Sequence, residues 1–427
     1  MRNRTMHLRR LSGLLLLAAC AAIGPALTAD AGNWPRFRGP NGTGGSDDSD
    51  IPVKWTDENV AWKVALPGAG NSSPIVWGDR LFIQSASTDG KERYLLCLST
   101  TDGKEVWKKS VPGGKSRMNA KNSLASSTPA TDGERVYGYF WDGEAVALHA
   151  FDFKGDHLWK YDIGKFSSDH GAGASPMLCD GKVILLNDQG EGASVLAIEA
   201  KTGKKAWETK REHFQNRACY STPFQLNRKG DGVELVVGST TGVTGYDPAS
   251  GAKNWQYDWS FEGQPLRTVA SPLLAEGGFI IVNSGDGIGY RTTVALRPGS
   301  KDGTRPKLVW ESKKSKFMPY VPCFLSRRDH LYWVSDTGFA GCTVTETGET
   351  VWHERLGEAF TASPVLIEDK VYAVDESGKV FVFAAEPKFK LLAKNDVGEP
   401  VLATPAVAGG KLFIRGKSYL YCIGKGK

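Results

Sequence analysis

Cys97-Leu-Ser-Thr-Thr-Asp-Gly103-Lys-Glu-Val-Trp107 decides the fold, because the same spacing returns along the chain. A small residue is followed by Gly six positions later and by Trp ten positions later. The copies run Ala197, Gly203, Trp207; Gly245, Gly251, Trp255; and Cys342, Gly348, Trp352. One copy is a residue short (Ala150, Gly155, Trp159), and one is stretched (Ala295, Trp310). Two period-2 strands joined through a glycine turn explain the spacing: glycine supplies positive φ, and the indole has room only against a small neighbour.

Outward from these copies, Ser/Thr-Pro pairs open alternating apolar runs at Pro74, Pro129, Pro176, Pro223, Pro272, Pro364 and Pro405, with Val321-Pro322 as an eighth. Their separations of about 40 to 55 residues suit a four-stranded propeller blade. Proline is tolerated at the first residue of a strand, where it removes no interior ladder bond. Gly78-Asp79, Gly181-Lys182 and Asp369-Lys370 then mark hairpins. The last copy, from Ala403 to Gly424, lacks a Trp strand, whereas Asn59 to Val64 is a Trp strand around Trp62 without a blade. Pairing the two ends closes the ring and removes open sheet edges. The expected fold is therefore all-β, an eight-bladed propeller of four-stranded antiparallel blades over 59–427, its last blade closed by the N-terminal strand. The seventh blade lacks its Trp near Lys394.

The docking residues read from the pattern are Trp62, Trp107, Trp159, Trp207, Trp255, Trp310 and Trp352. The pattern resembles the tryptophan-docking motif of quinoprotein alcohol dehydrogenases and of PQQ-like repeat proteins, including the BamB-like lipoproteins of outer-membrane barrel assembly. Trp34-Pro35-Arg36-Phe37-Arg38-Gly39-Pro40 also resembles the lead-in of secreted proteins with such repeats. It is either a binding tail or a strap across the ring, with a flexible Gly/Ser/Asp stretch after it to Asp50. What the resemblance specifies is a fold, since one superfold hosts many functions.

Residues 1–29 read as an export signal: Arg2, Arg4, Arg9 and Arg10 precede an apolar run from Leu11 to Ala22, too short to span a bilayer. Leu17-Ala18-Ala19-Cys20 matches a bacterial lipobox, so Cys20 is either lipidated or an incidental cysteine in a leader cleaved near Ala29 or Ala31. The chain is expected to be periplasmic or tethered to a membrane by a lipid anchor alone. Residues 30–58 form an N-terminal extension. Four of the 53 basic residues lie in the leader, so the formal charge of +6 falls to about +2 without it. No basic cluster is interleaved with aromatics, which speaks against nucleic acid as a partner.

No His-Glu-x-x-His, Gly-x-Ser-x-Gly or phosphate-loop pattern occurs, so ordinary metallohydrolase, esterase and nucleotide-enzyme chemistry lacks support. Of seven cysteines, Cys97 and Cys342 fill the small-residue slot and Cys422 follows the same strand logic, as buried hydrophobes. Cys179, Cys219 and Cys323 are unassigned. The adjacent cysteine pair of many quinoprotein alcohol dehydrogenases is missing, as is a Cys-x-x-Cys-His haem site.

A binding site belongs where the loops entering strand one and leaving strand two converge. These loops carry Asn119, Lys121, Asn122, Asp169, His170, Asn187, Asp188, Asn216, Arg217, Arg267, Asn283, Asp286, Tyr320, Asp336, Glu358 and Asp375. The candidate rim is Asn122, His170, Asn187, Arg217, Arg267, Asn283 and Asp336. Arg217 and Arg267 offer guanidinium forks for carboxylates, while the bland role of Asn and Asp is to bond the local turn. Trp141 and Trp259 are candidate carbohydrate platforms. By the resemblance, a PQQ enzyme needs Ca²⁺ held by Glu, Asn and Asp oxygens and a carboxylate base, and those ligands do not map residue by residue here. The expected function is a non-catalytic envelope propeller binding proteins or polymers, without a cofactor. The alternative is an alcohol or sugar dehydrogenase using PQQ with Ca²⁺.

Overall fold

A computed structural model describes residues 32–212, 217–228, 232–261, 265–287, 289–300 and 303–424. The signal reading and Cys20 lie outside these residues, as does Asn216. Eight antiparallel sheets of four strands follow one another, the first built from Ile75–Trp77, Arg80–Ala86, Glu92–Ser99 and Glu105–Pro112. The eighth takes Ala406–Ala408, Lys411–Arg415 and Tyr419–Ile423 from the carboxyl end and Val60–Ala65 from the front, with Trp62 opposite Cys422. We number the blades 1 to 8 in this order. The expected closure is therefore the observed one.

Every outermost strand carries a β-bulge immediately before the docking position. Cys97 faces Trp107 while Leu98 faces Glu105, so Val106 has no partner. The same slip leaves out Ala206, Asn254 and Val351 in blades 3, 4 and 6. A bulge bends the strand and re-aims the next side chain; here it turns each indole toward the following blade. Trp62, Trp107, Trp159 and Trp207 donate Nε1–H to Thr100, Phe153, Ala200 and Pro248 carbonyls at 3.0–3.1 Å. Trp310 and Trp352 do likewise to Thr345 and Glu386. Trp255 instead bonds the fully buried Glu234, whose charge Arg228 meets at 2.5 Å.

In blade 7 the docking position is Ala393, opposite Val382. The N-terminal extension packs there. Ile51, Val53 and Trp55 join the hydrophobic cluster that contains Ala393. Asn395 accepts from Trp55 N–H and donates to Val53 O, both at 3.0 Å. The lead-in up to Asp50 is correspondingly not a loose linker: Gly45–Ser46 pairs in parallel with Leu366–Ile367, giving blade 7 a fifth strand. Backbone ladder bonds fix what composition alone suggested was flexible.

Trp34 to Gly44 closes the middle of the ring. Trp34 bridges Val76, and Asn41 exchanges two hydrogen bonds with the Gln225 backbone. Between them Arg36 donates to Pro223 O at 2.6 Å, and Arg38 to Phe324 O at 2.6 Å and Pro364 O at 3.3 Å. The segment is a strap whose two guanidiniums feed on blade-opening carbonyls. Burial lowers the Arg36 pKa to about 9.

Candidate functional site

The residue before each blade-opening proline does more than the proline. Ser73 N–H donates to Thr128 Oγ1 at 3.1 Å, and Thr128 N–H to Ser175 Oγ at 3.0 Å. Thr222 N–H donates to Ser271 Oγ, Ser271 N–H to Cys323 Sγ and Cys323 N–H to Ser363 Oγ. Ser363 N–H reaches Thr404 Oγ1, and Thr404 N–H returns to Ser73 Oγ at 3.1 Å. An extended residue before proline holds its hydroxyl toward the neighbouring blade. In blade 6 the equivalent residue is Cys323, with Phe324 in the proline position directly before Leu325–Arg327. Pro322, read as the eighth opening, is thus two residues early, since strand register and not the imide sets the repeat.

Seven of the eight residues of this hydroxyl ring, all but Ser271, line an axial bowl of about 630 Å³, with Phe37 of the strap among the other lining residues. Around it stand Asn119, Lys121, Asn122, His170, Tyr220, Arg267, Asp286, Tyr320 and Asp336. Four of the seven rim candidates, Asn122, His170, Arg267 and Asp336, are therefore brought together. The other three are not. Arg217 is not among the lining residues and holds Asp286 at 3.1 Å. Asn283 is buried and donates to Pro319 O at 2.8 Å. Asn187 faces a separate cleft. Asp188 is buried against Arg211, and Asp375 caps its own turn through Ser377 and Lys379. Trp141 is buried, and Trp259 is half-buried with its N–H on Ser239 O, so neither is an open platform.

The bowl's oxygens are already engaged. Asp336 accepts from Arg291 and from Tyr320 N–H at 3.0 Å. Beside Lys121, Glu376 accepts from Nζ at 2.6 Å and from Thr361 Oγ1. Asn122 donates to His170 O and Ala172 O while its oxygen accepts from Ser123 N–H. The Nδ1 of His170 has no partner, and burial together with Arg267 holds its pKa below the usual histidine value, so the ring is neutral at neutral pH. Burial also pushes the Tyr220 phenol up to about 12.

Ca²⁺ requires six to eight oxygen ligands. Among the described residues no trio of His, Cys, Asp or Glu is placed to hold a metal ion. Asp286 and Asp336 each carry an arginine partner. The cavity has the volume for a planar tricycle, but these donors do not fit a PQQ and Ca²⁺ pair. Sequence reasoning missed Tyr220, Arg291, Phe37 and the hydroxyl ring; the Ser/Thr before each proline was the available signal for the last.

The sequence matches the family described as outer membrane protein assembly factor BamB over residues 48–163, 91–227, 148–303 and 337–423. It is 27% identical to a polyvinylalcohol dehydrogenase of a Pseudomonas species over 185 residues, covering 40% of this chain and 27% of that one. BamB of Shewanella oneidensis is 22% identical over 272 residues, 60% of this chain and 64% of that protein. The chain thus spans under two thirds of these curated relatives. Among solved structures, a europium-containing methanol dehydrogenase superposes with a TM-score of 0.70 at 12% identity, covering 92% of this chain and 98% of that one. BamB of Moraxella catarrhalis gives 0.61 at 14% identity, covering 84% and 95%. At such identities these likenesses speak for the fold alone. With matching segments that run through most of the blades, the chain belongs to the BamB-type family of PQQ-like repeat propellers.

Proposed function

We propose that this protein is a non-catalytic binding propeller of the cell envelope, receiving part of a protein partner at its axial bowl. The observation that carries the reading is the prior commitment of the two carboxylates that line the bowl, Asp286 and Asp336, paired within the fold with Arg217 and Arg291. Such pairs make a rigid, polar rim suited to recognition, and they leave no carboxylate poised as a base. Similarity to assembly factors of the BamB type supports a protein partner over a polymer. The Arg-rich leader supports export, with lipidation of Cys20 as the means of tethering.

A second reading, a PQQ-dependent alcohol or sugar dehydrogenase, is favoured by the bowl's volume and by similarity to dehydrogenases. Site-specific photocrosslinking in intact cells separates the two. A photoreactive residue at Val269, in the bowl lining, should give a discrete protein adduct, while one at the exposed Val351 on an outer strand should not. Equal labelling from both positions, or none from Val269, would refute the binding role.

A further inference from the structure

Between blades 2 and 3, away from the axis, lies a second cavity of about 410 Å³. One wall is the outer strand His157–Lys165, which contributes Tyr161, Ile163 and Lys165. The other is blade 3, with Asn187, Leu196 and Glu208, and Gln189 and Glu191 complete the lining. Trp159 joins the two blades at one end of this seam through its bond to Ala200, and at the other Ser167 N–H donates to Gln189 Oε1 and Gly190 N–H to Ser167 O.

Asn187 is 4% exposed, lines this cavity, and its side-chain oxygen has no hydrogen-bond partner. Leaving a buried amide unpaired is costly, and a buried polar atom without a partner calls for a function or a ligand.

The remaining chemistry narrows the occupant. Asn187 Oδ1, Glu191 and Glu208 are acceptors, so the occupant must bring hydrogen-bond donors. Charges balance locally: Glu208 is paired with Lys205 at 2.8 Å, and the lining carries one further residue of each sign, Lys165 and Glu191. A neutral site favours neither an anion nor a polyamine. Tyr161, Ile163 and Leu196 offer apolar surface to C–H groups. We infer that this cleft is a binding site for a neutral polyhydroxylated ligand, a sugar or short glycan, whose hydroxyls donate to Asn187 and the flanking glutamates. The volume lies within the range of small-ligand sites.

Saturation-transfer NMR and calorimetry on the full chain with cellobiose and maltose test the inference. Binding should persist at high salt and should be absent with gluconate or spermidine as charged comparators. Asn187→Leu, nearly isosteric, should weaken binding at least about tenfold, since it removes the unpartnered buried oxygen that a ligand hydroxyl would satisfy. Its melting temperature should be equal or higher, because an unsatisfied polar group is removed. Tyr161→Ala should weaken binding too, and Val269→Ala in the bowl should leave it unchanged. Failure of both disaccharides to bind at tens of millimolar, unaltered binding by Asn187→Leu, or unfolding of that variant would each overturn the assignment. None of these results bears on the axial bowl.

Discussion

Gly203 lies flat against the indole of Trp159 from the preceding blade: a Cβ added to it would sit 2.7 Å from Cγ and Cδ2 of that ring, and its φ is +70°. Gly103 stands in the same relation to Trp62, and Gly348 to Trp310. The repeated glycine is thus required twice, by its own turn and by its neighbour's tryptophan. Gly203→Ala should cost roughly 2–4 kcal/mol by combining left-handed strain with overpacking. Trp159→Ala, which empties the same contact, should cost about 3–5 kcal/mol. Denaturant unfolding measures both, and the double variant should fall short of the sum because the residues touch.

Blade 7 depends on the extension where the others depend on an indole. Asn395→Ala removes the acceptor for Trp55 N–H and the donor to Val53 O. A loss of about 1–3 kcal/mol is expected, for two bonds of ordinary strength. Limited proteolysis should then cut first between residues 46 and 58. A cleavage pattern identical to that of the parent would show that the extension does not hold this seam.

His149 is packed among Phe140, Phe151 and His157, with burial first and the His157 charge second lowering its pKa to about 4. The unfolded chain therefore binds the proton more readily than the native state. Stability is full above about pH 6.5, declines as pH falls toward 4, and loses at most roughly 3 kcal/mol over that window. His149→Phe should flatten the melting temperature across it. His170, also lowered, acts with the same sign and should leave a smaller residual slope.

Six cysteines, Cys97, Cys179, Cys219, Cys323, Cys342 and Cys422, are buried and unpaired with one another. Burial pushes the thiols of Cys97, Cys219, Cys342 and Cys422 up to about 12. Thiol titration of the native protein should leave these six silent, and all six should react after denaturation. Reaction without unfolding, or a missing thiol afterwards, would contradict this packing.

The architecture was legible because its determinants are local and repeated. Trp at a fixed distance from a small residue survives as a pattern even where the turn is a residue short, at Trp159. Closure was legible from the orphan strand at Trp62. Register at blade 6 was not, since Phe324 and Cys323 meet the same steric and hydrogen-bonding needs as Pro and Ser. The bowl was half legible: loop position finds Asn122, His170, Arg267 and Asp336, but whether a side chain faces the axis, an adjacent blade or the core turns on one residue of strand parity, as Asn187 and Asn283 illustrate. Arg291, inside a strand, gave no loop signal at all.

The most direct test of the central claim, that the bowl is a recognition surface and not a quinone site, is titration of the purified protein with PQQ in excess Ca²⁺, followed by calorimetry and by absorbance. No saturable heat and no bound-quinone spectrum are expected, with Arg291→Gln also failing to create either. Stoichiometric PQQ uptake that demands Ca²⁺ and disappears with Asp336→Ala would contradict the claim.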